Sequence, residues 1–238
     1  MKIDLAFTPS ELEKKDINRK SVVVIDALRA TSTMIVAFEN GCKAFVPVAT
    51  VEEARALAEE NPDFLLAGER GGFPPKDFSL GNSPRDYRPE KVKGKIVVMT
   101  TTNGTRALVA SRGGADVLIG SFLNVTAVTR ALVARGRDVL IACSGEKDVF
   151  CFEDAVCGGA IIEGMERIGR TTEMSDAARS ARMLFRQCEA DIYGSLCGCD
   201  WGRHLEDIGL GDDIPICARV DSSDLVPVYR DGRIFLER

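Results

Sequence analysis

A series of short, near-continuous apolar runs, each followed by a segment of helical pattern, constrains this chain more than any other feature. The runs fall at residues 21–25, 44–48, 64–67, 96–99, 117–119 and 139–142, and the helical segments at 32–39, 51–60, 124–134, 153–168 and 176–190. Asn40-Gly41 closes the first helix, while Thr50 caps the second with Glu53 at the capping-box position. Strands that lack polar alternation are covered on both faces, and strands alternating with helices give a mainly parallel sheet. The expectation is therefore an α/β fold, with any ligand site beyond the carboxyl ends of the strands. The tail reads as a hairpin, with 226–228 and 234–236 joined by an Asp231-Gly232 turn, and is expected at the sheet edge. No fixed-period repeat or clear linker divides the chain, so one domain over 1–238 is expected, with a subdivision near 145–175 as the alternative.

Charge narrows the partners. A formal net charge of −5 argues against a nucleic-acid surface built on general electrostatics. It leaves room for a local basic pocket, and Arg29, Arg70 and Arg106 all fall in predicted loops or at helix starts. No apolar run reaches membrane-spanning length, and the first residues carry Asp4 rather than an apolar signal region. A cytoplasmic location and a homodimer are the corresponding expectations. The 8 cysteines are scattered among predicted core elements, where a free thiol behaves as a small hydrophobe. Cys197-Gly198-Cys199 with His204 lacks the paired spacing and the histidines of a zinc site.

Four strand ends carry chemistry-bearing residues. Thr100-Thr101-Thr102-Asn103-Gly104-Thr105-Arg106 offers hydroxyls, a permissive backbone and a guanidinium to an anion, or else a threonine-rich cap to the helix that follows. Asp26 ends the run 22–25, with Arg29 three residues on. A metal or an anionic substrate would give this pair a function, and an internal ion pair would make it structural. Glu69 and Arg70 leave the run 64–67 between glycines, opening a Gly- and Pro-rich loop over 68–89 that is long for a compact domain. Cys143 lacks the arginine six residues on that a cysteine phosphatase requires, since Val149 stands there. Glu153 and Asp154 begin a long helix and suit its positive end. No G-x-x-x-x-G-K-[ST] and no G-x-G-x-x-G is present, which disfavours a P-loop hydrolase and a dinucleotide enzyme. Leu28 occupies the place of the second aspartate of aspartyl-phosphate phosphatases. Carboxylates, arginines and hydroxyls remain, an inventory that suits Mg²⁺-assisted phosphoryl transfer.

The blocks VVVIDALRATSTM (22–34), GERGGFPPKDFSLGNSP (68–84), TTTNGTRAL (100–108), GSFLN (120–124) and FEDAVCGGAI (152–161) together resemble the 2-phosphosulfolactate phosphatase (ComB) family. The resemblance implies a three-layer α/β/α fold and Mg²⁺-dependent hydrolysis of (2R)-phosphosulfolactate to sulfolactate and phosphate, a step of coenzyme M biosynthesis. Carried onto this sequence, Asp26 and Glu69 become the metal or acid–base candidates. Arg29, Arg70 and Arg106 become anion binders, with Thr101, Thr102, Asn103 and Gly104 as the cradle. Near the C-terminus, where members often read S-x-H-G-R, this chain has Asp200-Trp201-Gly202-Arg203-His204. A lyase acting on a related sulfonate or phosphoester, and a non-catalytic sensor of a phosphorylated metabolite, are the alternatives.

Overall fold

The run Ser21–Ile25 is buried at every position, and its side chains divide by parity. Val23 and Ile25 join one core with Leu118, Ile141, Val128 and Ile161, while Val22 and Val24 join another with Ile119, Leu140, Met34 and Leu108. A strand sandwiched in this way has no solvent face, which explains its apolar run. The computed structural model describes residues 1–101, 104–169 and 173–237.

The strands are β1 (Lys2–Ala6), β2 (Ser21–Ile25), β3 (Ala44–Pro47), β4 (Leu65–Gly68), β5 (Ile96–Thr100), β6 (Asp116–Gly120), β7 (Val139–Cys143), β8 (Glu173–Met174), β9 (Pro227–Arg230) and β10 (Arg233–Leu236). They form one 10-stranded sheet in the order β4-β5-β3-β10-β9-β6-β2-β7-β1-β8. The helices are α1 (Pro9–Leu12), α2 (Ala30–Glu39), α3 (Val51–Glu60), α4 (Pro89–Val92), α5 (Gly104–Ala110) and α6 (Val125–Arg135). They continue with α7 (Phe152–Arg167), α8 (Asp176–Cys188), α9 (Ile192–Gly198), α10 (Asp200–Asp207) and α11 (Ile214–Cys217). The expected helices all form, with ends shifted by a residue or two. Thr50 caps α3 by accepting from Glu53 N, and the Glu53 carboxylate reaches back to Ala49 N. Among the described residues no helix is long and apolar enough to cross a membrane.

The hairpin corrects the sequence reading. β9 and β10 lie in the middle of the sheet, because β10 pairs antiparallel with β3 and β9 with β6. Val228 is accordingly buried in one core and the paired Tyr229 and Ile234 in the other, as an interior position in the sheet requires. Two parallel blocks flank it, β4-β5-β3 and β6-β2-β7-β1-β8. Three successive antiparallel pairings separate the blocks, so they run in opposite senses. Their carboxyl ends nevertheless meet, since Asp26 after β2 and Glu69 after β4 line one cleft. The run at 2–6 had no place in the expected sheet, yet β1 pairs parallel with β7.

Helices α7 and α8 pack closely enough that a Cβ on Gly159 would sit 2.1 Å from the Ala181 carbonyl oxygen. A buried carboxylate fastens the same pair. Glu163 accepts from Arg167 at 3.1 Å, Arg182 at 2.7 Å and Arg186 at 2.9 Å. Burial alone would raise its pKa, but the Arg186 and Arg182 guanidiniums prevail and hold it at about 2, below the ordinary 4.5. A depressed carboxylate stabilises the fold above its unfolded pKa, and that stability is lost as pH falls through the folded value. Glu163→Gln should therefore lower stability at neutral pH by roughly 1–3 kcal/mol, the scale of charged hydrogen bonds, since Arg167 and Arg186 are half-exposed and stay solvated. Denaturant titrations should show the wild-type advantage shrinking between about pH 4.5 and about pH 2. An unchanged midpoint at neutral pH would count against the clamp.

Candidate active site

Asp26 follows β2 directly and is buried. Its backbone is tied to Thr31, whose hydroxyl donates to Asp26 O at 2.9 Å, and its Oδ1 accepts from Ala30 N at 3.0 Å. Oδ2 is turned toward Gly104, where an added Cβ would approach it to 2.8 Å. From β4 comes Glu69, also buried, whose Oε2 accepts from Gly72 N at 3.1 Å. Gly68 lets β4 come this close to β5, since a Cβ there would lie 2.2 Å from Thr100 O.

Helix α7 supplies two more acids. Asp154 Oδ1 accepts from Ala27 N at 2.8 Å, and its Oδ2 from Ser144 N and Gly145 N, each at 3.1 Å. This carboxylate thereby staples the ends of β2 and β7 together. Glu153 is buried beside it, with the Cys199 and Cys151 thiols close by. Asp26, Glu69, Glu153 and Asp154 line one narrow cleft, with Asn82, Glu146 and Trp201 on its walls.

Crowding of buried acids sets the electrostatics. Burial, reinforced by the charges of Glu69 and Glu153, lifts Asp26 to about 7 against the opposing Ala30 hydrogen bond. Burial likewise raises Glu153, and burial with the Asp26 and Glu153 charges holds Asp154 well above the carboxylate range. Burial also raises the Cys151 thiol and pushes Cys199 up to about 12, so neither is a thiolate at neutral pH. Cys143, fully buried, is raised in the same way.

The arginines divide by location. Arg29 is buried, and its guanidinium bridges Asp213 Oδ2 at 2.6 Å and Gly72 O at 2.8 Å, leaving Nε without a partner among the described residues. Neither partner is Asp26, so the internal Asp26–Arg29 ion pair does not form. Asp213 in turn accepts from the Ser83 hydroxyl at 2.6 Å. Exposed Arg70 folds back onto Glu69 O and Thr100 Oγ1. Arg106 is half-exposed and paired with Asp148 at 2.8 Å. Thr101 Oγ1 accepts from Thr105 N at 3.3 Å, and Thr101 N donates to Thr105 Oγ1 at 3.2 Å. Thr102 and Asn103 lie outside the described residues.

Sequence reasoning brought Asp26 and Glu69 to the site but gave Glu153 and Asp154 only a helix-end role. The missed signal was positional, because both follow β7 as Asp26 follows β2. Asp213, far away in sequence, carried no signal of its own.

Among the described residues, no set of three or more His, Cys, Asp or Glu side chains is arranged to hold a metal ion. The donors nevertheless suit Mg²⁺ in kind, being hard carboxylate oxygens whose mutual repulsion a cation would relieve. Mg²⁺ commonly takes one or two protein carboxylates and completes its shell with water and substrate phosphate.

The fold is that of an α/β protein, and the family its sequence matches makes it an enzyme of the phosphoric monoester hydrolase class. Comparison with known proteins supplies the family, since the model of 2-phosphosulpholactate phosphatase matches residues 6–232. A probable 2-phosphosulfolactate phosphatase of Clostridium acetobutylicum is 40% identical over 235 residues, covering 98% of this chain and 100% of its own. Proteins of the same description from Caldanaerobacter subterraneus subsp. tengcongensis and Symbiobacterium thermophilum are 40% identical over 227 and 224 residues. These alignments cover 94% and 93% of this chain and 94% and 96% of theirs. The chain belongs to the 2-phosphosulfolactate phosphatase family.

Proposed function

We propose that this chain hydrolyses (2R)-phosphosulfolactate to sulfolactate and phosphate with Mg²⁺ as cofactor. The observation that carries the reading is the meeting of Asp26 and Glu69 from opposed strand blocks in one acid-lined cleft of a phosphatase-family chain. Asp26 and Glu69 are the residues that would hold Mg²⁺. When bound, the ion supplies charge neutralisation for the phosphoryl oxygens and a more acidic water.

The protein's own groups do the rest. Asp26 keeps Oδ1 on Ala30 N and uses Oδ2 to orient the attacking water and accept its proton. Arg29 positions Glu69 through the glycine loop: it holds Gly72 O while Gly72 N holds the Glu69 carboxylate. Arg70 and Arg106 take the anionic groups of the substrate, with Thr101, Thr102, Asn103 and Gly104 cradling the phosphate. A substrate carrying phosphate, sulfonate and carboxylate requires several cations at once, and guanidiniums match such oxyanions in shape.

The deciding experiment measures phosphate release from 2-phosphosulfolactate and other three-carbon phosphoesters, with Mg²⁺ and with EDTA. Release from 2-phosphosulfolactate that requires Mg²⁺ is the expected result. Turnover without phosphate release would instead identify a lyase, and no turnover of any ester in Mg²⁺ would overturn the assignment.

A further inference from the structure

Away from the cleft, a cavity of about 370 Å³ opens where α8 lies against β8 and α7. Arg179, Arg182 and Arg186 line it from one side, with Glu166, Glu173 and Met174 opposite. Intervals of three and four residues set the arginines along one face of α8.

The nearby carboxylates do not saturate these cations. Among the described residues Arg182 hydrogen-bonds through Nε alone, to Glu163, and a terminal nitrogen makes only a long 4.0 Å ion pair with Glu166. Arg186 gives Glu163 its Nε and one terminal nitrogen. Glu173 is paired with Lys2 at 2.8 Å. Arg179, exposed, makes no side-chain hydrogen bond or ion pair among the described residues. Donor edges on Arg179, Arg182 and Arg186 are thus left over at one cavity, and a guanidinium has donors but no acceptor. What complements them is an acceptor-only oxyanion with the geometry of a phosphate or sulfonate. The volume lies at the lower end of small-molecule sites, roughly 300–1,000 Å³, which leaves space beside the anionic group for a carbon body. Met174 gives that body an apolar wall.

We propose that this cavity is a second anion-binding site, taking a small organic molecule through a tetrahedral phosphate or sulfonate group. It is separate from the acid-lined cleft: Glu163, beneath the arginines, is nine residues along α7 from Asp154, roughly 14 Å at the helical rise.

The test is an NMR titration of the ¹⁵N-labelled full chain, reading arginine Nε–Hε signals. Inorganic phosphate and methanesulfonate serve as separate probes, with sodium chloride at matched ionic strength as control. Saturable shifts of Arg179, Arg182 and Arg186 are expected with at least one oxyanion, and the preferred probe tells a phosphate ligand from a sulfonate one. Arg179→Glu should weaken that binding tenfold or more without changing the melting temperature. Shifts reproduced by chloride, shifts absent from these arginines, or unchanged affinity in Arg179→Glu would each overturn the proposal.

Discussion

Asp26→Asn is expected to lower phosphate release by roughly two to four orders of magnitude, the range that a positioned acid–base group contributes, and at the same time to make the protein more heat-stable. The two effects share one cause. Asparagine preserves side-chain volume and the Oδ1 acceptor for Ala30 N, so the turn into α2 survives. It removes the negative charge and the proton-accepting oxygen that faces Gly104. Catalysis loses its base, while the fold loses a buried charge that Glu69 and Glu153 repel. Measuring kcat/KM in Mg²⁺ and the melting temperature in EDTA separates the effects. A near wild-type rate would remove Asp26 from the chemistry. A lower melting temperature would mean that its carboxylate is compensated in the fold, contrary to its raised pKa. A sensor that only binds a phosphorylated metabolite would keep its affinity in this variant.

The sequence made the parallel blocks legible because burial on both faces leaves a readable signature. Val22 to Ile25 are all apolar, and the structure puts alternate members into separate cores. The β1 segment was illegible for the opposite reason. Lys2 is exposed and Asp4 half-buried in an ion pair with Lys15, so the run alternates and carries two charges. Its pairing with β7 is fixed by tertiary context rather than by composition. The terminal hairpin was legible as a hairpin, yet its place was not. Turn chemistry at Asp231-Gly232 is local, whereas insertion between β3 and β6 depends on surfaces built by strands far earlier in the chain.

The site divides along the same line. Asp26 and Glu69 stand at the ends of recognisable strands, so the strand-end rule brought both forward, whereas the opposite senses of their two blocks had no local signature. The fate of Arg29 depended on Asp213, 184 residues away, and no local pattern connects the two. Glu153 and Asp154 show how a sound local explanation hides a second role. A helix start does favour acids, but Asp154 turns its oxygens to the N–H groups of Ala27, Ser144 and Gly145, tying two strand ends instead of merely facing the dipole.

Without metal, the protein should melt at lower temperature as pH rises from about 5 to about 8, and Mg²⁺ should abolish most of that slope. Asp26 has an ordinary pKa of 3.8 and a folded value of about 7. Between those values the folded state holds a proton that the unfolded chain releases, so folding is weakened as pH rises through the window. Ionising a carboxyl with a folded pKa of about 7 between about pH 5 and about pH 8 costs the fold on the order of 3 kcal/mol. At about 2–4 °C per kcal/mol for a chain of this length, the decline amounts to several degrees. Glu153 and Asp154 are raised too and add in the same direction. Glu163 does not confuse the measurement, because its contribution changes only below pH 4.5. A cation that binds the ionised carboxylates stabilises the folded state in proportion to their ionisation, so its increment is larger at the alkaline end. Thermal melts in EDTA and in millimolar Mg²⁺ across this range supply the comparison. A metal-free melting temperature that stayed flat or rose with pH would deny the crowding of buried acids. Equal Mg²⁺ increments at both ends would mean that the ion binds somewhere other than at Asp26 and its neighbours.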